Sequence, residues 1–532
     1  MEPPSHPSAW SPLRQPLFRA LWIAAVASNI GTWMQNVGAA WLMTSLAPTP
    51  AMVALVQAAT TLPVFLVGVP AGAVADIVDR RRLLLATQGW MLCVAAVLGA
   101  LTLLNAITPW SLLLLTFALG LGAAMNAPAW QAIIPELVQE DLKAAVTLNG
   151  IGYNVARAVG PALGGAVVAA FGSGAVFVLN ACSFLGVMIV LYGWQRRGDS
   201  SRLPAEHVFG AMRAGVRYVR HSPPVHGVLL RTGAFIFGGS ALWALLPLVA
   251  REDLGLDATG YGLILGCLGI GAVGGGLLLP KIERRLSTDR LLAGAVVLFA
   301  FATVGPIYAQ RLTTLSPIMI IGGSAWIAIM STFNVAAQVT VPGWVRARAL
   351  AVYGIVAQGG MAVGSAVWGL IAERVSLSMT LVFAAVTLAA SIATALRYPM
   401  RFEEASDLTP SEHWPEPVFS TEPEPDAGPV LITVEYTVEP ARAEKFVTAM
   451  RAVRTQRLRD GAYRWGLYND TAAPRRFIET FVVESWAEHV RQHGRVTVAD
   501  RDVEEVARAF HVGAVPPVIS HLIYARPTAV ET

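Results

Sequence analysis

Nearly all the long apolar runs of this chain lie before residue 400, and its charges become dense only afterwards. That division limits the fold more than any single motif does. A bilayer core takes about 20 apolar residues per helix. By that measure about twelve segments qualify, near 18–43, 50–75, 83–105, 109–130, 145–170, 174–194, 225–250, 258–281, 289–309, 314–337, 347–372 and 377–397. Charged residues fill 14% of the 532 positions and hydrophobic ones 55%, where a soluble domain carries about 25% charge. The expected class is an all-α membrane protein held in the lipid bilayer, with twelve transmembrane helices in two six-helix halves and a soluble α+β domain behind them. The net charge of +4 is small and follows from the loops, so nucleic acid is not an expected partner. Cys93, Cys182 and Cys267 all fall in apolar segments. They read as small buried hydrophobes, with neither a disulfide nor a metal site implied. Residues 1–17 form a polar, proline-rich tail without cleavable-signal architecture, so the first apolar segment is expected to remain as helix 1.

Charge asymmetry orients the helices. One set of loops carries Arg80–Arg82, then Arg196, Arg197, Arg202, Arg213, Arg217 and Arg220, then Lys281, Arg284, Arg285 and Arg290, then Arg346 and Arg348. The opposite set is short and almost uncharged, with Arg251, Arg311 and Arg374 as exceptions. Positively charged short loops stay inside, which places both termini in the cytoplasm of a multi-pass cell-membrane protein. The halves span 18–194 and 225–400, joined by a cytoplasmic linker at 195–224. Within that linker Glu206 to Arg220 has helical spacing, with Val208, Phe209, Met212, Val216 and Val219 on one face. Such a helix either lies on the membrane surface or is an ordinary solvated linker.

Gly72-Ala-Val-Ala-Asp76-Ile-Val-Asp79-Arg80-Arg81-Arg82 joins the second and third apolar segments. Small residues there let backbones approach closely, and Asp76 sits where a helix leaves the bilayer, a costly place for an unpartnered charge. The stretch resembles the loop between helices 2 and 3 of the major facilitator superfamily, with Ile77 where an arginine is usual and Asp79 where a glycine is usual. Gly72, Asp76, Asp79, Arg80 and Arg81 are then the expected conformational gating loop. Gly274 to Arg285 falls at the equivalent place in the second half, without the aspartate and with Pro280 and Lys281 nearby. Two parallel six-helix repeats with a substrate site between them near the bilayer midplane are what this resemblance implies.

Helix 5 holds Gly152, Ala156, Gly160 and Gly164 at four-residue spacing, a smooth stripe for close helix contact, and Pro161 permits a bend. Gly160-Pro161-Ala-Leu-Gly164-Gly165 resembles the helix 5 signature of proton-linked exporters of the superfamily. Arg157 lies in the same helix, where a charge is expensive. It either lines a central cavity that attracts anionic groups or snorkels toward the cytoplasm. Asn29, Gln35 and Asn36 in helix 1, Gln57, Thr60 and Thr61 in helix 2, and Asn126, Trp130 and Gln131 in helix 4 either bind helix to helix or line a cavity. Trp243, Trp326, Asn334, Gln338 and Gln358 are comparable in the second half. Amides and aromatics suit a large amphipathic substrate. Thr116 stands where the exporter pattern has an arginine, and acidic residues such as Asp76, Glu136, Asp253 and Glu373 occur only at segment ends. A proton-coupled carrier needs a group whose pKa burial can move, so proton coupling rests here on resemblance.

Residues 401–428 read as an extended proline-rich, acidic linker. Residues 429–527 then show the order β-α-β-β-α-β, which matches a ferredoxin-like sandwich. This domain resembles the antibiotic-biosynthesis monooxygenase group of small dimeric proteins. Trp486, His489 and His493 are its residues to test, and the two histidines lie four apart on one helical face. They are either two metal ligands lacking a third or a surface or interface pair. The domain reads as a dimerisation or ligand-sensing module, with an enzyme as the minority reading.

Pro128-Ala-Trp-Gln131, Pro135-Glu136-Leu137, Leu148-Asn149, Arg157 through Gly165, and Glu484-Ser-Trp-Ala-Glu-His489-Val-Arg-Gln-His493 resemble the transmembrane secretion effector branch of the superfamily. The resemblance implies export of small siderophore-like or drug-like molecules, driven by protons, with no cofactor and no enzymatic step. An importer or uniporter of the same fold is the alternative, and a membrane-tethered oxidoreductase the alternative of another class. No phosphate-cradling Walker loop occurs among the glycines, which argues against an ATP-driven pump.

Overall fold

The computed structural model describes residues 10–47, 49–138, 141–194, 208–309, 311–400, 407–411, 413–414 and 423–525. The chain divides into two compact units. The first comprises residues 1–205, 229–334 and 353–400; the second comprises 206–228, 335–352 and 401–532.

The first unit is helical. Its elements are α1 (Pro16–Leu46), α2 (Pro50–Ile77), α3 (Arg80–Leu103), α4 (Pro109–Leu137), α5 (Leu142–Phe171) and α6 (Ser173–Gly193). After α7 (Val208–Arg220), which belongs to the second unit, come α8 (Pro223–Leu248), α9 (Ala258–Glu283), α10 (Thr288–Tyr308), α11 (Leu312–Val339), α12 (Arg346–Arg374), α13 (Leu377–Ser391) and the short α14 (Thr394–Arg397). Eleven spans among the described residues are long and apolar enough to cross a membrane. The 31-residue α1, expected as the first span, is not among them. The last expected span, 377–397, is among them, although its helix is interrupted between Ser391 and Thr394. Where the second-half copy of the Gly72 turn was expected, α9 continues through Pro280 and Lys281 to Glu283.

Helix starts follow local chemistry. Proline, whose missing N–H costs nothing in the first turn, opens α1, α2 and α4. Thr108 and Ser111 form a reciprocal cap on α4, and Ser376 caps α13. α5 stops at Gly172, whose φ of 79° suits glycine. Inside the bundle Met43, Leu98, Leu112 and Phe177 form part of one core, while large apolar side chains such as Ile189 and Leu277 face outward. An outward apolar face is what lipid as a solvent requires. Cys93 and Cys182 are on that exposed face and Cys267 is half-buried, so the expectation that all three are buried is corrected; all three are free thiols.

The second unit gathers α7, the turn before α12, and the C-terminal residues. The latter fold as β1 (Val430–Thr437), α15 (Ala443–Asp460), β2 (Arg464–Asn469), β3 (Arg476–Val483), α16 (Trp486–His493), α17 (Val498–Arg508) and β4 (Val518–Ile523). The sheet is antiparallel, in the order β2-β3-β1-β4, with Val434 opposite both Glu479 and Ile519. Strict alternation along β1 buries Val430, Ile432, Val434 and Tyr436 against Phe446, Met450 and Val453 of α15. The expected linker is not wholly free of this core. Trp414 packs on it, Pro410 bridges Thr497, and His413 and Trp414 both reach Glu504. Arg196, Arg197, Arg202 and the rest of 401–406 and 415–422 lie outside the described residues.

Candidate functional site

Three features of the helical unit bear on function: the turn after α2, the stripe on α5, and the surroundings of Arg157.

Gly72 lies within α2, and a Cβ there would meet nothing within 4 Å. Asp76 falls in the last turn of α2, and its side chain is outside the described set. The Asp79 carboxylate accepts from the backbone N–H of Arg82 at 2.9 Å and so caps α3. Arg80 donates to Glu136 Oε1 at 2.6 Å and to the Ala132 carbonyl at 3.2 Å, joining α3 to α4. Arg81 donates to the carbonyls of Leu191 and Tyr192, at 2.8 and 2.7 Å, at the C-terminal end of α6. That end carries unsatisfied carbonyls and partial negative charge, which a guanidinium complements. Adjacent arginines thus tie α3 to two different helices. Glu136, noted from sequence as an acid at a segment end, is the anionic partner.

The α5 glycines divide between two neighbours. A Cβ at Gly160 would lie 2.6 Å from Trp33 Cβ, and one at Gly164 would lie 2.8 Å from Met34 Cα, both on α1. A Cβ at Gly165 would strike Ala258 O and come within 2.9 Å of Gly262 Cα, both on α9. Reciprocally, a Cβ at Gly262 would lie 2.6 Å from Pro161 O. α5 is therefore pressed between its own half and the other. Gly369 of α12 makes a similar approach to Ala51 and Ala54 of α2. Arg251, after α8, donates to Thr44 Oγ1 at 2.9 Å and Ser45 Oγ at 2.5 Å, and lies 5.6 Å from the Trp41 ring. The contacts of Gly165, Gly262, Gly369 and Arg251 fall toward one end of the bundle, where α1 ends, α2 begins, α5 ends and α9 begins, while Trp33 and Met34 lie near the middle of α1.

Arg157 is half-buried. Its guanidinium carbon is 5.9 Å from the Trp33 ring of α1 and 6.0 Å from the Trp243 ring of α8, and it makes no ion pair among the described residues. Trp33 meets Tyr153 edge-on at 6.3 Å. Trp243 meets Trp326 at 5.4 Å, and Trp326 packs on Phe235 and Phe299. The indole N–H of Trp243 is buried without a hydrogen-bond partner among the described residues. A cation held by ring faces remains available to an anion, because rings do not neutralise it.

Of the candidates drawn from sequence, Arg157, Trp243 and Trp326 come together in one line of contacts. Gln35 and Asn126 bind helix to helix. Asn180 donates to Gln35 Oε1 at 2.5 Å, linking α6 to α1, and Asn126 accepts from Thr87 and Gln88, linking α4 to α3. Trp130 donates to Asn149, and Thr60 and Thr61 bond back to their own helix. Asn29, Asn36, Gln57 and Gln358 are half-buried with no side-chain hydrogen bond among the described residues, whereas Gln131 and Asn334 are exposed. Trp33, Tyr153 and Arg231 were missed. Arg231 is buried on α8 and pairs with Asp289, also donating to the Tyr398 carbonyl at 3.1 Å. A lone arginine near the start of an apolar segment was its signal.

In the second unit His489 is not a surface residue; it is 1% exposed. It faces His493, with Nε2 atoms 3.4 Å apart, and His521, with ring centres 4.7 Å apart. Burial first, then the two neighbouring imidazoles, holds its pKa at about 3, so it is neutral. Among the described residues no group of three or more side chains could hold a metal ion. Arg457 is enclosed between the Trp414 and Phe481 rings and pairs with Glu479 and Glu504. Burial pushes the Glu504 carboxyl up, but Arg457 and the His413 and Trp414 donors outweigh it and leave it at about 2.

A sequence profile of the family described as transmembrane secretion effector matches residues 7–528. The staphyloferrin A transporter of Staphylococcus aureus is 23% identical, covering 55% of this chain and 74% of its own. The multidrug efflux pump Tap of Mycolicibacterium fortuitum is 25% identical, covering 69% of this chain and 91% of its own. The enterobactin exporter EntS of Escherichia coli is 25% identical, covering 58% and 72%. Among solved structures, a bacterial homologue of the lysosomal transporter Spinster, inward-facing and occupied, superposes with a TM-score of 0.58 at 16% identity, over 74% of this chain and 98% of that one. A bacterial homologue of ferroportin, also inward-facing, gives 0.58 at 15% identity, over 73% and 99%.

Proposed function

The chain belongs to the transmembrane secretion effector family of major facilitator transporters, and from that premise we propose that it exports small amphipathic molecules, siderophore-like or drug-like, from the cytoplasm. It is a membrane transporter and not an enzyme, like its relatives. The observation that carries the specific reading is Arg157, braced between Trp33 of the first half and Trp243 of the second without a carboxylate partner among the described residues. An anionic aromatic or chelating cargo suits that environment, with the half-buried amides Asn29, Asn36, Gln57 and Gln358 as further contacts. α1 serves as the twelfth span, with Asn29, Asn36 and Trp33 turned toward the cargo path, and both termini are cytoplasmic.

Transport follows alternating access of two pseudo-repeated halves. The close approaches of α5 to α9 and of α2 to α12, with Arg251 on the end of α1, support a state closed on the outer side. The loop of Gly72, Asp76, Asp79, Arg80 and Arg81 acts as the cytoplasmic gate. The proton gradient drives the cycle, and Asp76, Glu136, Asp253 and Glu373 at helix ends are the carboxylates open to that role. The strand order and the two covering helices support a ferredoxin-like sandwich for residues 429–527, able to pair with a second copy.

The test is accumulation of a fluorescent anionic and a fluorescent cationic dye in cells expressing wild type or Arg157→Ala at equal levels, with and without an uncoupler. Lower accumulation in wild-type cells, abolished by the uncoupler and lost selectively for the anion in Arg157→Ala, is expected. Uncoupler-insensitive uptake would instead make the chain a uniporter or importer.

A further inference from the structure

The C-terminal unit contains a cavity of about 300 Å³ that has no part in the transport path just described. That is about twice the ~150 Å³ that accepts a benzene molecule, and at the lower end of small-molecule sites. Its walls are of two kinds. Val434, Phe481 and Ile519 from the sheet, with Trp414, are apolar. His521 stands on the same sheet face as Ile519, and His489 and His493 of α16 add two further imidazoles to the lining. Arg457 and Glu504 reach the cavity but are consumed by each other and by Glu479. Arg508 is the exposed cation at the cavity, with no ion pair among the described residues.

This chemistry selects a ligand. Apolar walls that include the Phe481 ring and the Trp414 indole favour a ring of one or two cycles. Burial holds the His489 imidazole neutral, and its two ring nitrogens lie against Gln492 and His493, whereas the His521 ring can accept from a hydroxyl or donate to an oxygen. A carboxylate has one unspent partner, Arg508.

The same short helix faces two ways. α16 sends His489 and His493 to the cavity and Glu488 to the linker helix. Glu488 Oε1 accepts from Arg217 of α7 at 3.0 Å and from Arg495 at 2.6 Å. Glu484, just before α16, accepts from Arg213 of α7 at 3.0 Å. Arg459 lies 5.3 Å from the Tyr218 ring of α7, and Arg495 lies 4.5 Å from the Trp344 ring, which meets Tyr218 edge-on. α7 continues after two residues into α8, and Trp344 precedes α12 by one.

We propose that this cavity binds a planar aromatic molecule of one or two rings carrying a hydroxyl or carboxylate group, and that α16 transmits its occupancy to α7, the helix between the two halves. It gives the C-terminal domain a sensing role, and it stands whether or not the cargo of the transporter is the same molecule.

The test uses the full chain in nanodiscs and isothermal titration with 1-hydroxy-2-naphthoate, 1-naphthol and, as a non-aromatic control, cyclohexanecarboxylate. Saturable one-to-one binding of both naphthalenes and none of the control is expected. Ile519→Trp fills the cavity from a half-exposed edge-strand position and should weaken binding at least about tenfold. Arg508→Ala, at an exposed position that folding does not need, should weaken the naphthoate and leave the naphthol unchanged. Hydrogen exchange in residues 208–220 should slow on saturation with 1-hydroxy-2-naphthoate, and Glu488→Ala should abolish that slowing while keeping the binding. Equal affinity in wild type and Ile519→Trp, with unchanged exchange in β1, would place the ligand elsewhere and overturn the site. Unaltered α7 exchange at saturation would overturn the transmission. Neither outcome depends on transport.

Discussion

Gly165 of α5 and Gly262 of α9 face each other so closely that a Cβ on either would come within 2.9 Å of the other's Cα. The pair joins the two halves, so side chains are excluded there by backbone and not by movable atoms.

Gly165→Val should therefore disfavour the arrangement in which α5 meets α9. Overpacking costs about 1–3 kcal/mol, a shift of roughly 5- to 150-fold in a conformational equilibrium. Efflux at equal expression should fall by at least the lower figure. Gly186→Val, on α6 where a Cβ meets nothing within 4 Å, is the control and should leave efflux intact.

The Arg80–Glu136 pair has side chains 29% and 22% exposed, so its Coulomb energy is screened. Glu136→Gln should lower stability by only about 0.5–1 kcal/mol. If the pair is part of the gate, transport should drop severalfold more than that loss of folded protein explains. The exchange Arg80→Glu with Glu136→Arg should then recover much of it. Efflux and the thermal midpoint measured side by side separate gating from folding.

Gln35 and Asn180 are buried and bonded to each other. Gln35→Leu leaves the Asn180 amide unpaired and should cost about 1–3 kcal/mol, visible as a lower thermal midpoint. The double variant with Asn180→Leu should recover stability relative to either single change. An unchanged midpoint with an altered cargo profile would return Gln35 to the cavity.

His489, held neutral down to about pH 3 by burial, gives the C-terminal unit a pH signature. Its unfolded pKa is near the ordinary 6.5. Below that pH the unfolded chain gains a proton that the folded chain does not, so stability falls between pH 6.5 and about 3. Glu504 acts at lower pH: its stabilisation is complete above its ordinary 4.5 and is lost toward 2. Hydrogen exchange of β1 and β3 should accelerate as pH falls from 6.5 to 4.5, after correction for intrinsic exchange. The difference between wild type and His489→Gln isolates this histidine, and the variant should lose that first phase.

Much of this architecture was legible because lipid imposes simple rules. Apolar length marked the helices, the arginine run marked the turn after α2, and glycine spacing marked the stripe on α5. The rule stops at the helix axis. Periodicity did not tell that Gln35 and Asn126 face neighbouring helices, or that Cys93 and Cys182 face outward, because an apolar segment facing lipid looks like one facing protein. Arg213 with Glu484 and Arg217 with Glu488 are each separated by 271 residues, and no local pattern encodes such a pairing. The third histidine was hidden for the same reason: His521 is on β4, brought beside His489 of α16 only by the sheet order.

Arg213, Arg217 and Tyr218 of the linker helix, and Trp344 on the turn before α12, are all covered or paired by residues beyond 450. A shortened gene product ending after the last bundle helix would thus not be a simpler pump. It would display bare indole, phenol and guanidinium groups to water, inviting aggregation and proteolysis, so the tail and the carrier are expected to be inherited together.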